Sequence, residues 1–207
     1  MPLVTIANPK GGTGKSTLAT NLAGCFAHRG HGTMLGDMDR QHSAREWLER
    51  RPAHLPRIET WERSEKKTLR PPKGVTHVVL DTPAGLKGDR LEEVLGVSSR
   101  VLVPLQPSAF DLSATKAFLA RLAEVKAVRK GRTEVAVVGM RVDLRTRSAD
   151  ELRHFLEDLD LPVLGFLRDT QLYVQLAGEG LTLWDLPPSR AERDLLQWLP
   201  LVRWAEA

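Results

Sequence analysis

The feature that most constrains the fold is a glycine-rich loop between an apolar strand and a helix. The loop follows the apolar residues 3–7 and reads Asn8-Pro9-Lys10-Gly11-Gly12-Thr13-Gly14-Lys15-Ser16-Thr17. Glycines let the backbone wrap closely around a ligand, and the helix that starts after the loop directs its positive end at an anion. The order of strand, loop and helix therefore predicts a binding site for the phosphates of a nucleotide.

Individual loop residues have chemically distinct roles in such a site. Lys15 supplies a positive charge near the β- and γ-phosphates, Ser16 can ligate Mg²⁺ through its hydroxyl, and Thr17 can donate to the α-phosphate. We therefore expect ATP or ADP with Mg²⁺ as the ligand. The predicted nucleotide contacts are Gly11, Gly12, Thr13, Gly14, Lys15, Ser16 and Thr17.

Apolar, β-branched runs alternate with helical stretches along the chain. Strands are predicted at residues 3–7, 33–36, 75–80, 101–105, 135–140 and 162–166, and helices at 16–29, 112–129, 150–158 and 190–204. This alternation predicts an α/β fold, a doubly wound and mostly parallel sheet with helices on both faces. The loops that follow the strands then share one edge, where such folds bind ligands. Residues 51–73, with four prolines, are interpreted as a surface excursion.

Length and composition narrow the class of protein. The 207 residues fit one domain of ordinary size, so we expect a single domain over residues 1–207. Cys25 is the only cysteine, which excludes an intrachain disulfide and a cysteine-based metal site. No stretch approaches the roughly 20 apolar residues of a membrane-spanning helix, and no signal peptide is recognised. We expect a cytoplasmic protein.

Carboxylates follow two of the predicted strands. Asp37 and Asp39 come after the second strand, and Asp81 ends the apolar run 77–80. Beside a magnesium triphosphate, one acid can orient the attacking water and another can hold the metal shell or the loop. An apolar strand that ends in aspartate is the Walker B pattern, so Asp81 is predicted to hold Mg²⁺ together with Ser16. The alternative for Asp39 is to cap the helix that begins near His42.

The loop from Lys10 to Thr17 resembles the deviant phosphate loop of the ParA/MinD ATPases. In that family the lysine at the position of Lys10 reaches across a dimer interface to the partner's nucleotide. The resemblance implies a face-to-face homodimer formed on ATP, with Lys10, Lys15 and Asp39 as the catalytic residues. Arg40 departs from the family pattern, which has a proline after the hydrolytic acid, whereas Gln41 matches it.

Residues 104–113 and 171–180 also resemble short ParF-type plasmid partition ATPases. The resemblance implies that the first stretch lies beside the dimer interface and the second beside the nucleotide base. It further implies slow ATP hydrolysis that partitions or positions a cargo: a plasmid, a chromosome locus or a large protein assembly. A cargo adaptor of the ParB or ParG type is then expected as a partner.

The same resemblance implies that the ATP-bound dimer binds double-stranded DNA without sequence preference and associates with the nucleoid. The net charge of +4 permits an anionic partner without requiring one. Two basic groups are candidates for the contact: Arg141, Arg145, Arg147 and Arg153, and then Arg121, Lys126, Arg129, Lys130 and Arg132. The alternative is that arginines of the first group form salt bridges with Asp143, Asp150 and Glu151.

Other branches of this superfamily share the phosphate loop but differ in further residues. The nitrogenase iron-protein branch needs two cysteines per subunit and the related tyrosine kinases need a tyrosine-rich tail, so one cysteine and one tyrosine exclude both. A small-molecule kinase or synthetase remains an alternative, against which Lys10 argues. A MinD-like membrane helix at residues 195–204 is the other alternative. There we expect core packing instead, because Pro200 should interrupt the helix and only Arg193 and Arg203 flank it.

Overall fold

The computed structural model describes residues 1–61 and 71–207 of the chain. Within these residues, seven strands form one sheet in the order β3-β2-β4-β1-β5-β6-β7, and all neighbouring strands are parallel. The strands are β1 Leu3–Ile6, β2 Thr33–Asp37, β3 Ile58–Trp61, β4 His77–Asp81, β5 Arg100–Leu105, β6 Glu134–Gly139 and β7 Val163–Phe166. The predicted doubly wound sheet is confirmed, and it is parallel throughout.

Helices connect the strands and cover both faces of the sheet. They are α1 Lys15–His28, α2 Ser43–Arg50, α3 Asp89–Val97, α4 Ala109–Glu124, α5 Lys126–Arg129, α6 Arg147–Glu157, α7 Leu172–Gly178 and α8 Pro188–Glu206, with a short 3-10 helix at Leu183–Asp185. Alternate residues of each strand point to opposite faces. Val4 packs in a core with Phe26 of α1 and Trp198 of α8, whereas Leu3 packs in a second core with Phe118 of α4.

The surface excursion predicted for residues 51–73 is wrong in part, because β3 lies inside it and extends the sheet at one edge. Ile58 pairs with Thr33 of β2 and its side chain is buried. Two prolines, Pro52 and Pro56, stand just before this four-residue strand and conceal it in the sequence. A short edge strand with prolines at its border is an ordinary arrangement. The centre of the predicted excursion, residues 62–70, lies outside the described residues.

The helix predicted at residues 112–129 is divided into α4 and α5. Val125, between them, has an extended backbone with ψ of 129° and a buried side chain. Burial of this apolar residue in the core therefore overrides a helical pattern that is continuous in the sequence. The helix expected near His42 is α2. The helices α3 and α7 were not predicted, since they contain 9 and 7 residues and show too few turns for a clear periodicity.

The C-terminal helix α8 continues through Pro200, so the predicted interruption is wrong. Proline removes one backbone hydrogen bond, and the carbonyl that loses its partner belongs to Leu196, which lies on the exposed face where water can bind it. The expected core packing is confirmed, because Trp198 and Leu201 are fully buried. No helix in the described part of the chain combines the length and apolar character needed to cross a bilayer.

Candidate functional site

The glycine-rich loop connects β1 to α1 at the centre of the sheet. β1 has β4 on one side and β5 on the other, so the loop lies at the point where the strand order changes direction. Gly12 and Gly14 have φ angles of 75° and 89°, which side chains rarely permit. A Cβ on Gly14 would also lie 2.6 Å from Cε of Met140. The loop therefore needs glycine chiefly for its backbone conformation, since the flexible end of Met140 could move aside.

Asn8 anchors the start of the loop. Its Nδ2 donates to the Pro104 carbonyl oxygen at 2.6 Å and to the Thr115 hydroxyl at 3.2 Å, and its Oδ1 accepts from the Lys10 amide at 2.8 Å. The side chain of Gln106 donates to the Gly12 carbonyl oxygen at 2.8 Å. The loop is thus tied to the end of β5. The sequence analysis assigned Asn8 no role, although an asparagine directly after a buried strand was a usable signal.

Lys15 is held inside the loop. Its ammonium donates to the Lys10 carbonyl oxygen at 2.7 Å. Desolvation lowers the pKa of Lys15, while the nearby charges of Asp81 and Asp39 act in the opposite direction. The loop lysine and the two acids singled out in the sequence are therefore neighbours in space.

Asp81 is a buried carboxylate at the end of β4. It is 1% exposed, and neither carboxylate oxygen accepts a hydrogen bond of good geometry from the described residues. Desolvation raises the pKa of Asp81 to about 7, against the lowering effect of the nearby Ser16 hydroxyl. A buried carboxylate without partners is costly unless a cation accompanies it. The pair of Asp81 and Ser16 therefore fits Mg²⁺, which takes few protein ligands and completes its shell with phosphate and water oxygens.

Two further observations bear on the fit to Mg²⁺ and phosphate. No group of three or more metal-ligating side chains occurs in residues 1–61 and 71–207, so a dedicated all-protein cage for a metal is absent there. The hydroxyl of Thr13 is buried inside the loop and has no hydrogen-bond partner among the described residues. A buried hydroxyl of this kind is available as a donor to a phosphate oxygen.

Asp37 and Asp39 have different surroundings. Asp37 accepts hydrogen bonds through Oδ2 from the amides of Ala44 and Arg45 at 2.9 and 3.0 Å, and through Oδ1 from the Asp39 amide at 2.9 Å. Asp37 therefore caps α2 and fixes the turn that carries Asp39. Within residues 1–61 and 71–207, Asp39 accepts one hydrogen bond, from the Gln41 amide at 3.0 Å. The alternative of Asp39 as a helix cap is wrong, because the first-turn amides of α2 donate to Asp37 instead.

A cavity of about 910 Å³ lies over the loop. Asp39 lines it, and so do Arg40, Arg90 and Arg141, which bring positive charge to the space beside Lys15. The sequence analysis gave Arg40 and Arg90 no role and placed Arg141 in a DNA-binding group. The remaining lining residues are Gly11, Gly12, Gly14, Ser16, Thr17, Met38, Gln41, Ser43, Pro83, Ala84, Gly85, Leu86 and Lys87.

Lys10 stands apart from this cavity. It does not line the cavity, and its ammonium has no hydrogen bond or ion pair within the described ranges. The side chain is therefore available for a contact outside its own subunit. Asp81 also does not line the cavity, because it is buried beneath the loop.

A second cavity, of about 450 Å³, adjoins the first at Gly14 and Thr17. Arg168 and Tyr173 line it, together with part of the 171–180 stretch that was predicted to lie beside the nucleotide base. The other lining residues are Met140, Arg141, Asp169, Thr170, Gln171, Val174 and Ala177. The two cavities share Gly14, Thr17 and Arg141 in their walls, and the second extends to residues of α7.

The two basic groups that were candidates for a DNA contact differ in whether their side chains form ion pairs. Arg145, Arg147 and Arg153 form ion pairs with Asp143, Glu151 and Asp150 at 2.8, 3.3 and 2.8 Å. The first group is thus largely neutralised, as its alternative interpretation stated. In the second group, all side chains are exposed and none forms an ion pair within the described part of the chain; its members are Arg121, Lys126, Arg129, Lys130 and Arg132.

Comparison with known proteins agrees with this geometry. The family model described as CobQ/CobB/MinD/ParA nucleotide binding domain matches residues 4–183. The Maintenance of carboxysome distribution protein A of Gloeobacter kilaueensis is 32% identical over 185 residues, which are 87% of this chain and 83% of that protein. The Protein ParA of Rhizobium radiobacter is 28% identical over 151 residues, 72% of this chain and 68% of that protein.

Among solved structures, a plasmid partition protein from Borrelia burgdorferi B31 bound to AMPPNP has a similar fold. Its TM-score is 0.74 at 18% identity, over 98% of this chain and 99% of the other. The family match covers the loop, both acid-bearing strands and most of the sheet. The chain belongs to the CobQ/CobB/MinD/ParA family of nucleotide-binding domains, as the resemblance of its phosphate loop predicted.

Proposed function

We propose that this chain is a magnesium-dependent ATPase of the ParA type that dimerises on ATP and positions a cargo along non-specific DNA. The observation that carries the proposal is the convergence of Lys15, Asp39 and Asp81 at one glycine-rich loop. The similarity to a carboxysome distribution protein and to a ParA protein supports the role in positioning.

ATP is proposed to bind with its phosphates in the loop and its base in the second cavity. The loop supplies inward backbone amides and the Lys15 ammonium, and the unpartnered Thr13 hydroxyl supports a further phosphate contact. Mg²⁺ would be held by Ser16 and, through water, by Asp81, and when bound it neutralises charge that develops on the phosphate oxygens. The unpartnered oxygens of Asp81 support this assignment.

Asp39 is proposed to orient the water that attacks the γ-phosphate. Its carboxylate lines the large cavity and accepts one hydrogen bond from the described part of the chain, so it retains acceptor capacity for a water proton. Asp37 would position Asp39 through the turn that it fixes. We expect hydrolysis to be slow without a partner protein, and the partner is proposed to be a cargo adaptor of the ParB or ParG type.

Lys10 is proposed to contact the nucleotide of a second subunit. The absence of any partner for its ammonium within the described residues supports this assignment, as does its position outside the subunit's own cavity. ATP would then contribute to the interface between two copies of the chain.

The DNA contact is proposed to lie on the basic group at the end of α4 and on α5. These side chains come just before β6, so they lie where the parallel strands begin. The phosphate loop lies at the other end of the strands, so these side chains do not compete with the nucleotide. A dimer carries this group twice, and affinity for DNA rises steeply with the number of phosphate contacts. The protein would associate with the nucleoid only in its ATP state.

The test is binding to random-sequence duplex DNA at several salt concentrations, with AMPPNP, with ADP and without nucleotide. We expect tight binding only with AMPPNP, with a slope of log affinity against log salt that changes by about 0.9 for each lost phosphate contact. The combined variant Lys126→Ala/Arg129→Ala/Lys130→Ala should bind weakly and have a smaller slope.

The matched control is Arg145→Ala/Arg147→Ala/Arg153→Ala, which removes the same number of positive charges from residues that are already paired. This control should retain most of the DNA affinity. Equal DNA binding in all three nucleotide states would contradict the nucleotide switch, and equal losses in the two variants would contradict the α5 contact.

A further inference from the structure

The carboxylate of Asp194 connects the C-terminal helix to the second cavity. Its Oδ1 and Oδ2 accept from Nε and Nη2 of Arg168 at 2.7 and 2.9 Å. The Asp194 side chain is 1% exposed, whereas that of Arg168 is 29% exposed and reaches the cavity wall. A buried carboxylate in α8 thus holds an arginine that lines a ligand-sized space.

Two more hydrogen bonds join the same helix face to the same cavity. The side-chain oxygen of Gln197 accepts from the Arg168 amide at 3.0 Å, and the Trp198 ring nitrogen donates to the Tyr173 hydroxyl at 2.9 Å. Asp194, Gln197 and Trp198 are spaced by three and four residues, so they share one face of α8. Arg168 and Tyr173, which both line the cavity, are therefore held by this one helix.

The pairing determines what Arg168 can offer to a ligand. Nε and one N–H of Nη2 donate to Asp194, which leaves both N–H groups of Nη1 and the second N–H of Nη2 for a ligand and fixes the plane of the guanidinium. A fixed, planar guanidinium beside a tyrosine ring suits a flat heteroaromatic ligand, which it can stack on and hydrogen-bond. The cavity adjoins Thr17, at the phosphate end of the large cavity.

We propose that Asp194 is a positioning residue for the nucleotide base: α8 builds the base subsite by holding Arg168 and Tyr173 in place. The inference rests on the proposed function, since it takes the ligand to be an adenine nucleotide. The C-terminal helix α8 would thus contribute to recognition of the base, whereas the phosphate loop binds the phosphates.

The experiment compares the affinities for magnesium ATP and for magnesium tripolyphosphate, which has the phosphates but no base. Asp194→Asn should weaken ATP binding by about tenfold, as expected for the loss of a charge-assisted hydrogen bond, and leave tripolyphosphate binding unchanged. The double variant Asp194→Asn/Arg168→Gln has no buried charge left unpaired, so it should fold and show the same selective loss.

Asp185→Asn is the matched control. Asp185 is equally buried and pairs with Arg51 at 2.9 Å, away from the second cavity, so its ATP to tripolyphosphate ratio should not change. Equal weakening of both ligands by Asp194→Asn, or unchanged ATP affinity in the double variant, would overturn the inference. If the unaltered protein bound neither ligand, the proposed function would be wrong, and this inference with it.

Discussion

Asp81 has the environment that departs most from that of a free carboxyl side chain. Burial raises its pKa to about 7, so between the usual carboxyl range and neutral pH the folded protein without metal retains a proton there that an exposed carboxyl would have released. A divalent cation must displace this proton. The residue therefore links metal binding to pH in a range where ordinary carboxylates do not titrate.

We expect the affinity for magnesium ATP to fall as the pH decreases from about 8 to about 6, by up to about tenfold per unit below the pKa of Asp81. The variant Asp81→Asn cannot ionise, so it should bind magnesium ATP weakly and without this pH dependence. Calorimetric titrations at three pH values test the expectation. A dependence of the same size in the variant would assign the titration to another group.

The raised pKa of Asp81 also affects the stability of the fold, and a stability measurement therefore provides a control for the titration. Because the folded-state pKa of Asp81 is raised, the unfolded chain releases this proton more readily, and stability falls as the pH rises from the usual carboxyl range toward about 7. In EDTA at about pH 8, Asp81→Asn should therefore melt at a higher temperature than the unaltered protein.

At the scale of elements, helix α2 shows how two neighbouring acids acquire separate roles. Asp37 accepts from two amides of the first turn of α2, whereas Asp39 projects into the large cavity with one backbone contact. The strand end, the turn and the helix are thus joined through the side chain of Asp37. The position of Asp39 depends on that junction.

Replacing each acid by alanine separates the two roles. Asp37→Ala should lower the free energy of unfolding by about 1 kcal/mol, because it removes the helix cap. The Asp39→Ala variant should have nearly unchanged stability and should still bind ATP. Its rate of ATP hydrolysis should fall by about 100-fold or more. Thermal melting and phosphate-release assays on the pair measure both effects. Hydrolysis by Asp39→Ala at the parental rate would exclude its proposed role.

At the scale of the whole molecule, the basis for expecting an ATP-dependent dimer is the ammonium of Lys10, which has no partner among the residues that the structure describes. We expect Lys10→Ala to bind AMPPNP, because Lys15 and the glycines remain, and yet to stay monomeric in light scattering. The unaltered protein should dimerise with AMPPNP. Lys73→Ala is the control. Lys73 is an exposed lysine before β4, at the end of the strands away from the phosphate loop. An undiminished dimer of Lys10→Ala would contradict the cross-subunit contact.

The sequence by itself determined the features that depend on local pattern. The loop from Asn8 to Thr17 requires glycines in a particular backbone conformation, and the alternation of buried strands with helices leaves few topologies other than a doubly wound sheet. The six predicted strands and the phosphate loop were therefore readable without coordinates. The short strand β3 and the break at Val125 were not, because packing overrode the local signal there.

Only the tertiary structure decided the partners of charged side chains that lie on different elements. The ion pairs of Arg145, Arg147 and Arg153 join near neighbours that the sequence had already suggested as partners. The capping of α2 by Asp37 depends instead on how the end of β2 packs against that helix. The pair of Arg168 and Asp194 joins a strand end to a distant helix turn. Periodicity reports which face of an element is buried, whereas pairing depends on how whole elements pack against one another.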